Sequence, residues 1–287
     1  AFPEPDRAQS GILVTLDNGR NYLFDCGAGI VRNMVRANVS PAEVSLVFLS
    51  HLHHDHVCDY PQFVITGWMW DREDAPVVLG PKGTKHFNDN LFVTGAFKSD
   101  YEARHYYPRR QKNVVAMHPK VVEVSPGVAW QDEHVKITCD WVEHIPRHIS
   151  ECFGIRFEAE GKVLAFSGDT APCDAMVKLA QGADLLIHEC TFPETFIEFR
   201  RKSGVGIFAH TSPTELGELA VKAGVKSLIA THFGHFDTTS PLIKRVAVHH
   251  FPVDLMGPHL MDEVARDIRK NYRGELRLAH DLMRIDV

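Results

Sequence analysis

No apolar run in this chain approaches the roughly 18 residues that a membrane-spanning helix needs, so no transmembrane segment is expected. The start, Ala1-Phe2-Pro3, shows neither an initiator Met nor a hydrophobic leader, and the expectation is a cytoplasmic protein whose N-terminus is processed or trimmed. The six cysteines are dispersed and form no Cys-x-x-Cys pair, which points to reduced thiols rather than a disulfide framework. Dense basic tracts are missing too. Arg109-Arg110 with Lys112, and Arg200-Arg201-Lys202, are short spots on a chain of formal net charge −6. A protein that grips a long polyanion usually carries a basic footprint, so this balance argues against nucleic acid and for a small-molecule substrate. Finally, no low-complexity tract or flexible linker interrupts the 287 residues, which reads as one domain spanning 1–287.

What the chain has in excess is histidine, 18 in all, concentrated near the ends of apolar runs. The densest group, His51-Leu52-His53-His54-Asp55-His56, directly follows Val44-Ser45-Leu46-Val47-Phe48-Leu49-Ser50. That run has the length and composition of a buried strand. Imidazoles are costly to bury unpaired, so a cluster at a strand end calls for water or a cation. His51 and His53 point the same way from an extended backbone, and Asp55 and His56 lie further round the loop.

Two similar halves alternate strands with helices. Residues 11–16 and 21–25 bracket Asp17-Asn18-Gly19, a hairpin signal. A helix is predicted over 30–37, then the 44–50 strand. Residues 61–120, with Trp68, Trp70, Tyr101, Tyr106 and Tyr107, read as a partly helical, aromatic-rich insertion. Strands are predicted at 135–142, 155–159, 163–166, 183–189 and 227–231, and helices at 173–180 and 262–271. A closing strand is predicted over 276–287. Ser212-Pro213-Thr214-Glu215 is a capping box opening a helix that Gly224 stops. Polar residues recur where strands end: the 51–56 block, His144, Asp169, Glu189 and His232. In α/β sheets such ends are where sites are built.

These residues resemble the metallo-β-lactamase superfamily, in its ribonuclease Z and arylsulfatase-like branch, over nearly the whole chain. The resemblance is carried by Asp25-Cys26-Gly27, the 51–56 block, Val142-Glu143-His144, Ser167-Gly168-Asp169-Thr170, His188-Glu189-Cys190-Thr191-Phe192, His210-Thr211-Ser212 and Thr231-His232-Phe233. It implies a four-layer αββα sandwich in the α/β class and a metal-dependent hydrolase with two metals per chain. Zinc is expected, with Mn2+ or Fe2+ as alternatives. By the resemblance His51, His53 and His144 hold one metal, Asp55, His56 and His232 the other, and Asp169 bridges them. Three protein ligands per zinc leave a position for the attacking hydroxide. Asp55, His210 and Glu189 are the candidates for catalytic work, His210 giving a proton to the leaving oxygen and Glu189 holding it. Asp25 either orients a ligand histidine or makes a turn. Counted from Phe153-Gly154, His148 competes with His144 as ligand. The family's first strand and glycine-rich turn are missing before Phe2–Arg7, so a strand is expected to lie ahead of Ala1.

The branch leaves the substrate open. A tRNA 3′-processing endoribonuclease fits the ligand pattern and His210, but His54 stands where that enzyme usually has Gly, and no glycine- and proline-rich arm for gripping tRNA is recognisable. The 57–84 stretch, Val57-Cys58-Asp59-Tyr60-Pro61 through Gly80-Pro81-Lys82-Gly83-Thr84, resembles the arylsulfatase-like small-molecule hydrolases, and the aromatic-rich 61–110 insertion suits an apolar or aromatic substrate body. The expectation is a homodimer acting on an aryl ester, a sulfate or phosphate ester, a lactone or an activated aryl halide. A mononuclear iron dioxygenase of the same fold is the alternative from another class.

Overall fold

The computed structural model describes residues 3–203, 209–248 and 251–287. The chain forms two compact units, one built from residues 8–125 and one from residues 126–287 together with the N-terminal segment up to Arg7. No helix is long and apolar enough to cross a membrane among the described residues.

The 8–125 unit holds a five-stranded sheet in the order β1-β2-β3-β4-β5. Its strands are β1 (Ile12–Thr15), β2 (Asn21–Phe24), β3 (Val44–Phe48), β4 (Val77–Gly80) and β5 (Lys120–Glu123). β1 and β2 form the expected hairpin, and β2 through β5 run parallel. Helices α1 (Ile30–Arg36) and α3 (Tyr60–Met69) bury Val31, Met34, Phe63 and Trp68 against Val47 and Val78. The short α2 (His54–Val57) lies between them in sequence. The 61–120 stretch is therefore not simply an insertion. It supplies α3 and β4 to the unit, and only 84–117 leaves the sheet, as α4 (Thr84–Phe92), α5 (Lys98–His105) and two short 3-10 turns. β4 escaped a pattern-based reading because Val77-Val78-Leu79 is too short to show periodicity between Pro76 and Gly80-Pro81.

The other unit holds a seven-stranded sheet in the order β12-β11-β10-β9-β8-β7-β6. Its strands are β6 (Gly127–Gln131), β7 (Val135–Trp141), β8 (Phe153–Ala159), β9 (Lys162–Phe166), β10 (Leu185–Glu189), β11 (Ser227–Thr231) and β12 (Glu275–Leu278). β7 and β9 both run antiparallel to β8, and β10 and β11 run parallel to β9. The C-terminal ends of β7, β9, β10 and β11 therefore share one edge of the sheet. β10 is buried throughout, as a central parallel strand requires. Helices α6 (Asp174–Leu179), α7 (Glu194–Ser203), α8 (Pro213–Ala223), α9 (Pro241–Ala247) and α10 (His259–Asn271) accompany the sheet. α8 opens on the capping box, in which the Ser212 hydroxyl accepts from Glu215 N and the Glu215 carboxylate accepts from Ser212 N, and ends at Gly224 in the left-handed region. Each unit thus pairs one sheet with helices, as the αββα class requires of each half.

Candidate active site

In the 8–125 unit the parallel pairing of β2 with β3 sets Asp25 beside the start of the histidine block. Asp25 is buried in a left-handed turn, with φ of 60°, a conformation that needs local support in a non-glycine residue. Its carboxylate has that support. Oδ1 accepts from Ser50 N at 2.8 Å, and Oδ2 accepts from the Ser50 and Ser10 hydroxyls at 3.0 and 3.1 Å. Oδ2 also lies 2.6 Å from His56 Nδ1. Gly27 is required at its position, because a Cβ there would meet the Asp55 carbonyl oxygen at 2.1 Å. The turn role and the orienting role of Asp25 are one and the same.

Donor and acceptor bookkeeping fixes which ring nitrogens face inward. A carboxylate only accepts, so His56 Nδ1 carries the proton and Nε2 keeps a lone pair, 3.7 Å from Asp55 Oδ2. The Ser50 hydroxyl donates to Asp25, so it accepts from His51 Nδ1 at 3.0 Å, which leaves His51 Nε2 aimed at His53 Nδ1, also at 3.0 Å. His51, Asp55 and His56 are buried; His54 is exposed.

The 126–287 unit gathers the second group at its shared strand edge. Glu143 N donates to the Thr170 hydroxyl at 3.1 Å, and Ala171 N donates to the Glu143 carbonyl at 2.7 Å, so the end of β7 is tied to the turn after β9. That tie sets His144 Nε2 3.8 Å from Asp169 Oδ2, with His144 Nδ1 donating to the Ala209 carbonyl at 2.9 Å. Burial pushes the His144 imidazole below its ordinary pKa, so it is neutral and able to ligate. His148 is exposed in the following turn. Across from His144, His232 Nε2 lies 3.2 Å from Asp169 Oδ1. The two oxygens of one carboxylate are thus addressed by two different imidazoles.

Thr191, which the sequence offers only as one member of a motif, joins the second group together. Its hydroxyl donates to Glu189 Oε2 at 2.7 Å and faces the Nδ1 atoms of His210 and His232 at 3.2 and 3.3 Å. Having donated, it accepts from His232 Nδ1, and His232 Nε2 then presents a lone pair toward the carboxylate. Glu189 is fully buried and takes further hydrogen bonds on Oε1 from Thr170 N and His210 Nδ1, both at 2.8 Å. Burial, the largest single influence, raises the pKa of Glu189, but the charge and hydrogen bond of His210, joined by the charge of His232, together hold the carboxyl below its usual value. Burial likewise disfavours the His210 imidazolium, and Glu189 more than offsets that, raising the His210 pKa.

The described N-terminal residues, 3–7, pack within the 126–287 unit. Glu4 accepts from His235 Nδ1 at 2.7 Å and from the Thr238 hydroxyl at 3.2 Å, and Arg7 pairs with Asp237 at 2.5 Å and reaches the Phe233 carbonyl at 3.4 Å. This strap braces the segment that follows His232, itself in the left-handed region with φ of 56°.

In both groups imidazole nitrogens and carboxylate oxygens from different segments gather within a few ångströms, an arrangement a cation stabilises. The donors are neutral imidazoles and a few carboxylates, which suits a transition metal ion. A mixed α/β fold with such candidate metal-binding strand ends defines a metal-dependent hydrolase of the metallo-β-lactamase kind. The pattern of the beta-lactamase superfamily domain matches residues 20–233, and the chain belongs to that superfamily. It is 28% identical to a ribonuclease Z of Mycobacterium bovis over 291 residues, covering 100% of this chain and 94% of that one. To a ribonuclease Z of Mycobacterium marinum it is 30% identical over 236 residues, covering 81% and 82% of the two chains. Among solved structures, human tRNase Z, short form, superposes with a TM-score of 0.67 at 20% identity, covering 99% of this chain and 94% of that one.

These likenesses correct two expectations. Relatives aligned over the full length are ribonucleases Z by name, which overturns the small-molecule, arylsulfatase-like reading and the exclusion of nucleic acid that came with it. Physically, the aromatics behind that reading are not gathered as one group. Trp68 lies in the core of the 8–125 unit with Tyr101 packed on it, while Trp70, Tyr106 and Tyr107 are exposed. Net charge was the weaker argument as well, because it sums the whole surface while an anion is gripped locally, and bound cations add charge the sequence does not count.

Proposed function

We propose that this chain is a zinc-dependent endoribonuclease that removes the 3′ extension of precursor tRNA. The observation that carries the reading is the full-length likeness to proteins named ribonuclease Z. The ligand set is that of the family pattern: His51, His53 and His144 for one zinc, Asp55, His56 and His232 for the second, and Asp169 between the two. Two zinc ions, when bound, supply a hydroxide nucleophile near neutral pH and positive charge beside the scissile phosphodiester. His210, with its pKa raised and Nδ1 held by Glu189, keeps a proton for the departing ribose oxygen. Thr191 and Thr170 fix the Glu189 carboxylate, and through it the plane of the His210 ring.

The test is direct. A precursor tRNA labelled on its 3′ trailer should be cut once, releasing the trailer, with two zinc ions per chain and complete loss of cutting on chelation. An intact precursor after incubation with zinc-loaded protein would overturn the reading. A second outcome concerns Asp25. Because it orients His56, Asp25→Asn should weaken zinc binding by about 10- to 100-fold in competition with a chromogenic chelator. Unchanged affinity would reduce Asp25 to a turn residue.

A further inference from the structure

If the substrate is an RNA, the metal-binding residues account for one phosphodiester and leave open what holds the rest of the molecule, since the chain shows no glycine- and proline-rich arm. One local stretch answers the chemistry. Residues 104–112 read Arg-His-Tyr-Tyr-Pro-Arg-Arg-Gln-Lys, four cations and no acid, in a chain of net charge −6. They run from the last residues of α5 into the turn that follows it in the 8–125 unit, where Tyr106 is 80% and Tyr107 63% exposed. The rings meet edge to face with centroids 5.7 Å apart. They do not hang on a loose loop. Tyr106 N and Tyr107 N donate to the Glu102 and Arg104 carbonyls, and Arg110 N donates to the Tyr107 carbonyl. Asn113 Nδ2 donates to the Trp68 and Arg72 carbonyls, both at 3.0 Å, and Tyr101 packs on the buried Trp68 ring at 5.4 Å.

The charges are only partly met within the unit. Asp71, set in a left-handed turn just after α3, takes Arg109 at 2.6 Å and Arg110 at 3.2 Å, so one carboxylate faces two guanidinium groups. Arg104 pairs with Asp100 at 2.8 Å, and Lys112 is exposed. Exposed, pre-ordered aromatic rings among cations suit neither a core nor an apolar protein interface. They suit unpaired nucleotides, whose bases stack on aromatic faces while phosphates meet Arg and Lys. Trp70, 48% exposed, adds a third ring beside Asp71. The ten residues of α3 separate this surface from the histidine block by about 15 Å along the helix, a distance a folded RNA spans.

We propose that Tyr106 and Tyr107, with Arg109 and Lys112, form a docking surface for RNA, on which unpaired bases of the substrate stack and its backbone phosphates are held. The proposal rests on the ribonuclease reading above. Its test compares zinc-loaded wild type with Tyr106→Ala/Tyr107→Ala, Tyr106→Phe/Tyr107→Phe and Arg109→Ala/Lys112→Ala, all at exposed positions. Binding of fluorescent mature tRNA is read by anisotropy over a salt series, alongside precursor cleavage. The alanine pair should raise Kd tenfold or more, from losses of about five- to hundredfold per stacked base. The phenylalanine pair should bind nearly as wild type. The Arg109/Lys112 variant should flatten the dependence of log Kd on log salt by about one unit for each phosphate it no longer holds. Kd values all within twofold of wild type, with wild-type cleavage of the precursor intact, would overturn the docking surface and leave the ribonuclease reading standing. Wild-type protein that neither binds nor cuts precursor tRNA would overturn both.

Discussion

Asp169→Ala should leave a folded protein that holds at most one metal ion and does not cut precursor tRNA above background. The expectation follows from where the carboxylate stands. It is 3% exposed, and its two oxygens lie 3.8 and 3.2 Å from His144 Nε2 and His232 Nε2. Without it, the carboxylate expected between two adjacent dications is lost, and Asp55 alone among the protein ligands would offset their repulsion. The turn itself survives, because Ser167 N to Ile187 O, Thr170 N to Glu189 Oε1 and Ala171 N to Glu143 O do not use the Asp169 side chain. Plasma emission spectrometry gives the metal content and circular dichroism the fold. Two metal ions and retained cleavage would remove Asp169 from the bridging role. The paired comparison is His144→Ala against His148→Ala. The first should lose metal, and the second, at an exposed turn, should not; equal effects would contradict the assignment of His144.

The second large effect is expected at Glu189. Glu189→Gln keeps the shape of a fully buried side chain but removes the charge that raises the His210 pKa and one acceptor that fixes its ring. The predicted result is a fall in kcat of about 10²- to 10⁴-fold, the usual worth of a positioned proton donor, with metal content and KM for the precursor little changed. His210→Ala should fall as far, and the double variant no further, because the two residues act as one unit. A kcat within twofold of wild type for Glu189→Gln, or additive losses in the double variant, would remove the pair from the proton-transfer step.

Much of this was legible from pattern. Val44–Phe48 delivers the histidine block as its composition predicts, and Ser212-Pro213-Thr214-Glu215 opens a helix because its capping chemistry is local. The strands ending near His144, Glu189 and His232 were found within a residue or two for the same reason. Other elements hid. β4 and β5 gain their stability from parallel neighbours, which a four-residue run cannot announce. The closing strand extends only over Glu275–Leu278, because the pairing of β12 with β11 stops at Leu278. Thr191 carried no signal of its own. A hydroxyl acquires meaning only when its neighbour Glu189 and two imidazoles from other segments, His210 and His232, converge on it.

The sequence by itself determined the chemistry available: neutral imidazoles and carboxylates at strand ends, and a pattern specific enough to name a superfamily. Residue type and local spacing are properties of the chain, and they suffice for that. What only the tertiary structure decided is which of those groups meet, and how. It set His144 rather than His148 beside Asp169, turned Asp25 onto His56, buried Tyr60, Phe63, Trp68 and Phe92, and left Tyr106 and Tyr107 exposed among cations. Burial and hydrogen-bond direction depend on neighbours distant in sequence, and those neighbours exist only once the strands have paired.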